Sequence, residues 1–373
     1  MIYLDNAATT KPLLEALNYA KPFVCEDFFN PSALYKDALR IKKEIDTARQ
    51  TILKSLSTTK HEVIFTSCGT ESDNTALFGF CKRGTLITTE GEHSAVYKTA
   101  LELKNRGITV LFAMLNKDGS VNEDDLISKV KSAQNLSLVS VVHVNNETGA
   151  INDVNGLAKK IKQISPKTIF HTDAVQSYMK IPFVLSEYVD LYSLSAHKIN
   201  GIKGVGALIK RKGLTLPVFM HGGGQESGLR SGTENVFGIK ILEYCTRVKS
   251  QQITDNFNSV SIIRNTFLDG LDKALFDVIS TENCSPYILS LSAKSVKGEV
   301  ILHMLEQEGV VVGNGSACSA KNRFSRVIEA CGYKNNDGIV RVSFSPETTI
   351  EDAKISAQKL NEVTKKLSSI MKR

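Results

Sequence analysis

The 373-residue sequence contains no apolar run approaching the roughly 18 residues that a helix needs to cross a bilayer, so no membrane-spanning helix is expected. Its opening stretch, MIYLDNAATT, carries an aspartate and no basic region, and does not read as a secretory signal. The seven cysteines (25, 68, 81, 245, 284, 318 and 331) include no CxxC spacing, so neither a disulfide framework nor a cysteine metal site is expected, and no metal ligand is assigned. Neither GxGxxG nor a Walker loop is present, which removes the usual signatures of nucleotide binding. Repeats and low-complexity segments are also missing. The net charge of +7 is modest and is spread over helical stretches such as 36–54 and 159–167. Solvated helix faces account for it, and no direct nucleic-acid or membrane binding is expected. The chain reads as a cytoplasmic globular protein.

With 42% hydrophobic and 23% charged residues, the composition is that of an ordinary globular fold, and the length leaves room for roughly two to three domains. Ile41, Ile45, Ala48, Ile52 and Leu56 recur at helical spacing and predict an amphipathic helix over 36–56. From Glu62 onward, short apolar runs (63–65, 86–87, 110–112, 138–144, 169–170 and 191–194) alternate with helix-length segments. That alternation predicts an α/β domain with a mostly parallel sheet over residues 15–250. After about residue 250 the pattern changes. Helices over 259–275, 299–307 and 350–370, with strands at 287–291, 310–312 and 341–345, predict a smaller α+β domain formed by 1–14 and 251–373.

Ligands gather at the carboxyl ends of strands in parallel sheets, so the residues after each run carry the functional argument. Thr66 to Glu71 is a Ser/Gly/Thr turn opening a helix, suited to phosphate or to simple capping. His93 follows the run at 86–87, Asn146 the run ending at Val144, and Asp173 and Gln176 the run at 169–170. Lys198 follows 191–194 in LYSLSAHKINGIKGVGAL, at the end of a strand and before a glycine-rich turn. Taken alone, each is a surface, capping or core residue. Together they are the inventory for pyridoxal 5′-phosphate: a lysine amine for the aldehyde and a carboxylate for the ring nitrogen.

The strings YLDNAATT, FNPSALY, FTSCGTESDN, EGEHSAV, VHVNNETG, HTDAVQS, SLSAHKINGIKGVGAL, HGGGQESGLRSGTEN and GSACS span residues 3–319. In this order they resemble the cysteine desulfurases of the NifS/IscS type in the class V aminotransferase family, and RVSFS at 341–345 extends the match. The resemblance implies the PLP-transferase fold of type I, like aspartate aminotransferase. It implies that Lys198 holds the cofactor, Asp173 faces the pyridinium nitrogen, and Gln176 and Asn146 contact the ring oxygen. His93 would stack on the ring and move protons, while Thr70, Ser195 and His197 would bind the phosphate. Thr233 would reach the phosphate of a neighbouring subunit, implying a homodimer, and Arg341 with Asn30 would hold the substrate carboxylate. Cys318, in a stretch of small residues followed by Lys321, Arg323 and Arg326, would take sulfur from L-cysteine as a persulfide and leave alanine. The sulfur would then pass to an acceptor, such as an iron–sulfur scaffold or a tRNA-thiolation enzyme.

Three positions depart from the family pattern: Tyr35 where histidine is usual, a shorter segment between Cys318 and Ser325, and Pro346 where glycine is common. The rival readings are a selenocysteine lyase, a small-amino-acid aminotransferase, a PLP-binding assembly protein without turnover, and a Cys–His hydrolase. Cys318 argues against the aminotransferase. Intact Lys198, Asp173, His93 and Arg341 argue against a protein without turnover, and a hydrolase would need neither Lys198 nor Asp173.

Overall fold

The first strand of the chain pairs with a strand more than three hundred residues away. In the computed structural model, which describes residues 1–315, 325–333 and 337–371, β1 (Ile2–Leu4) runs parallel to β11 (Val310–Val312). Between them lie, in order, α1 (Leu14–Ala20), α2 (Pro22–Cys25), α3 (Lys36–Ser55), β2 (His61–Thr66), α4 (Gly69–Phe80), β3 (Thr85–Thr89), α5 (Ser94–Asn105), β4 (Thr109–Ala113), α6 (Glu123–Ser132), β5 (Leu136–Ser140), α7 (Val154–Ile164), β6 (Ile169–Asp173), β7 (Leu191–Ser195) and β8 (Gly206–Arg211). The long α8 (Val236–Asp269) follows, then β9 (Phe276–Val278), β10 (Ile288–Ala293) and α9 (Gly298–Gln307). After β11 come α10 (Arg326–Ala330), β12 (Ile339–Ser343) and α11 (Ile350–Met371).

Seven strands form the main sheet in the order β2-β8-β7-β6-β5-β3-β4. Only β8 runs against its neighbours β2 and β7; the other contacts are parallel, so the sheet is mixed but mostly parallel. Its inner strands β3, β6, β7 and β8 are buried on both faces, as strands between two helix layers must be. On α3, Ala38, Ile41, Ile45, Ala48 and Ile52 are buried, the stripe visible in the sequence. A second sheet, β12-β10-β9, is antiparallel.

Two large apolar clusters follow this division. One joins α3, the main sheet and α8 as far as Cys245; the other joins Leu4, Val260 to Phe267, β10, β12 and α11. The helix α8 runs unbroken through residue 250, where the sequence pattern predicts a boundary and no helix before 259. The strand predicted over 138–144 ends at Ser140; beyond it Val141 to Val144 stay buried but make only isolated pairings, with Val144 bridging Ile151. None of the helices among the described residues is long and apolar enough to cross a membrane.

Candidate active site

Parallel pairing turns the carboxyl ends of β2, β3, β5, β6 and β7 to one side of the sheet, and a cavity of about 360 Å³ opens there. Its lining brings together Thr70, His93, Asn146, Asp173, Gln176, Ser195, His197, Lys198 and Arg341, nine of the residues singled out by sequence. A wider groove of about 490 Å³ between α6 and α7, lined by residues such as Glu123 and Lys160, gathers no comparable set of buried polar groups.

Lys198 leaves the end of β7 on one short helical turn, Ala196–Lys198. Its Nζ donates to Ala7 O at 2.6 Å and Ala8 O at 2.8 Å, so the N-terminal segment holds the amine. The same segment reaches the opposite side of the cavity. Asp5 Oδ1 accepts from Arg341 Nη2 at 2.8 Å, and Arg341 Nη1 donates to Asn146 O at 2.9 Å. Arg341 Nε remains buried without a hydrogen-bond partner.

Asp173, 4% exposed, ends β6 and accepts from Val175 N at 2.9 Å. Burial, reinforced by nearby Asp73, pushes its carboxyl above the ordinary carboxylate range. Asp73 is itself pushed up to about 7 by burial. Ligand atoms of Asp73, His93 and Asp173 lie within 4.8 Å of one another, a set able to hold a positive charge, metal or organic. His93 is the N-cap of α5, its Nδ1 accepting from Ala95 N at 3.2 Å. That bond places the proton of the neutral ring on Nε2. Burial lowers the His93 pKa, Lys198 and Arg326 lower it further, and Asp173 opposes them.

At the other end of the cavity, α4 begins with Cys68 at its N-cap and no side chain capping it, so its first N–H groups are left for an occupant. Thr70, Ser195 and His197 lie beside it. Ser195 Oγ is buried and unpartnered. His197 Nδ1 is 3.1 Å from Thr9 Oγ1, and burial followed by the Lys198 charge drops its pKa to about 4, leaving the ring neutral.

Asn30 and Thr233 do not line this cavity; both are exposed, and Asn30 Oδ1 accepts from Ser32 N. Cys318 lies outside the described residues. The segments flanking it are placed: Ser325 Oγ donates to Glu147 Oε2, and Arg326 Nη2 donates to Glu92 O at 2.7 Å. Sequence reading missed Asp5, Asp73, Glu92, Glu147 and the carbonyls of Ala7 and Ala8. Asp5, Asp73 and Glu147 stand inside the strings YLDNAATT, FTSCGTESDN and VHVNNETG, but only the fold shows what they touch.

Ser195 Oγ and Asn146 Oδ1, buried without a hydrogen-bond partner among the described residues, the N-terminus of α4 that no side chain caps and the enclosed Asp173 carboxylate together match a flat, phosphorylated molecule with a cationic ring nitrogen. The residues therefore fit pyridoxal phosphate. Fold and cavity define a pyridoxal phosphate-dependent enzyme of fold type I. The aminotransferase class-V family model matches residues 2–355, and the chain belongs to that family, among its cysteine desulfurases. Cysteine desulfurase IscS of Dictyoglomus turgidum is 35% identical over 381 residues, covering 99% of this chain and 96% of the relative. Cysteine desulfurase IscS of Methanosarcina thermophila is 32% identical, covering 99% and 93%. Among solved structures, a NifS-like protein superposes with a TM-score of 0.90 at 31% identity, covering 98% of this chain and all of that one. The structure of SspA in complex with cysteine gives 0.80 at 27%, covering 94% and 100%.

Proposed function

We propose that this cysteine desulfurase holds its cofactor on Lys198 and delivers sulfur through Cys318. The observation that carries the reading is the convergence of Lys198, Asp173, His93 and Arg341 on one cavity. When bound there, pyridoxal phosphate draws electrons from the substrate Cα and so allows its proton to leave. Ser195, Thr70, His197 and the start of α4 would hold the phosphate, and Asp173 would supply negative charge for the ring nitrogen. Arg341, which lines the cavity, would hold the substrate carboxylate, a charge-assisted pairing. Asn30 assists from the surface.

Lys198 would hold the cofactor through its amine, and that amine, once free, would take the Cα proton. Cys318 thiolate attacks the substrate sulfur: an S–S bond forms, the Cβ–S bond breaks with its electron pair going to carbon, and a proton completes alanine. His93 passes the thiol proton. The persulfide then moves to an acceptor protein, such as an iron–sulfur scaffold or a tRNA-thiolation enzyme. The SspA structure with cysteine bound supports L-cysteine as substrate.

Thr233, exposed and away from its own cavity, fits a contact with a second subunit's phosphate in a homodimer. The exposed Phe28, Leu34, Tyr35 and Phe219 supply apolar surface for such an interface. We assign two domains, 15–250 and 1–14 with 251–373, joined through α8, and a cytoplasmic location. The test is sulfide and alanine release from L-cysteine with a reductant. Wild type releases both in equal amounts and Cys318→Ala releases no sulfide; undiminished sulfide from the variant would remove Cys318 from the reaction.

A further inference from the structure

Gln176 sits on the turn after β6, and its side-chain amide is held at both ends. Nε2 donates to Ala7 O at 2.8 Å, an oxygen that can only accept. Oε1 accepts from Lys180 Nζ at 2.9 Å. Flipping the amide would set oxygen against the Ala7 carbonyl, so that carbonyl fixes the assignment and leaves Oε1 turned to Lys180 Nζ. The second N–H on Nε2 is the group left for the cavity that Gln176 lines.

Lys180 is an unusual residue to find there. It is 6% exposed, and among the described residues no carboxylate pairs with it. Lysine is almost never enclosed without such a partner. Burial, then the charges of Lys198, Lys249 and Arg341, hold its ammonium well below the ordinary lysine range. Lys180, Lys198 and Lys249 also line a common small void behind the catalytic lysine. This corner of the site therefore gathers three basic side chains, Lys180, Lys198 and Lys249, beside one amide donor.

We propose that Lys180 is a positioning residue that locks Gln176 as a hydrogen-bond donor to an anionic oxygen of the cofactor beside Lys198. The proposal rests on the reading of this cavity as the cofactor site. Ala7 O receives both the Gln176 amide and the Lys198 amine, so the chain from Lys180 through Gln176 ends on the atom that also holds the catalytic lysine.

Cofactor-free protein titrated with pyridoxal phosphate gives a half-saturation concentration and a visible absorption band. Lys180→Met is expected to raise the half-saturation about tenfold, the lower end for a hydrogen bond to a charged group, and to shift the band. Gln176→Ala weakens loading similarly, and the double variant is no worse than Gln176→Ala alone. An equal loss from Lys180→Met in both backgrounds would reduce Lys180 to a packing role and overturn the proposal. Gln176→Glu tests polarity independently. It can pair with Lys180 but sets an oxygen against Ala7 O and offers the cavity no N–H, so it is expected to load as poorly as Gln176→Ala. Loading of Gln176→Glu like wild type would also overturn the proposal. Wild type that gains no borohydride-fixed mass on Lys198 defeats the cofactor reading itself, an outcome distinct from failure of the variants alone.

Discussion

His93 serves two partners with one atom. Its Nδ1 caps α5, yet taking up a proton there means releasing Ala95 N–H. Protonation of the ring and the integrity of the cap are thus opposed, which adds to the burial that already lowers its pKa. Activity that needs the neutral ring is lost only as pH falls through this lowered value. The acid limb of kcat/KM is therefore expected below about 6.5, the ordinary histidine value. Arg326, whose guanidinium lies 3.8 Å from the Tyr97 ring centroid, contributes to the lowering. Arg326→Met is expected to move the limb upward, as read by kcat/KM against pH. His93→Ala is expected to cost about 10²–10⁴ in kcat and about 1 kcal/mol of stability from the lost cap. Glu92 offers a second pH readout. Burial holds it up at about 8, so the folded protein binds its proton across a range where the unfolded chain has released it. Stability from this group is present at low pH and falls as pH rises between about 4.3 and 8. Glu92→Gln removes that dependence, and its melting temperature relative to wild type should improve steadily from pH 5 to about 8.

Elements show what periodicity can and cannot convey. The stripe of α3 is legible because five buried apolar residues recur along one face. The middle of α8 is not, because 246–258 reads TRVKSQQITDNFN, almost without apolar spacing. A helix bridging two apolar clusters is polar where it passes between them, so its sequence resembles a linker. The site's first ring of residues is legible from strand ends, whereas Asp5 and Glu147 act through contacts made only after distant segments meet. The junction of β2 and α4 is tightly constrained: a Cβ on Gly69 would lie 2.7 Å from Val175 Cγ2 and 3.7 Å from Ser195 Cβ. Gly69→Ala is expected to cost about 1–3 kcal/mol in thermal or denaturant unfolding and to displace the start of α4 from the phosphate position. Weaker uptake of pyridoxal phosphate would register that displacement.

At the scale of the whole molecule, the order of assembly follows from where the first eight residues lie. Asn6 Nδ2 donates to Ser343 O at 2.9 Å, β1 pairs with β11, and Ala7 and Ala8 receive Lys198. These are contacts between an early segment of the chain and segments made roughly 190 to 340 residues later. Closing so long a loop carries a large entropic cost that only late contacts offset, a topology associated with slow folding. Lys198 is consequently not held in place until β12 has formed. On a ribosome, the nascent protein would display a nearly complete main sheet while still unable to retain its cofactor. Competence would arrive as a final event, when the two ends of the polypeptide find each other.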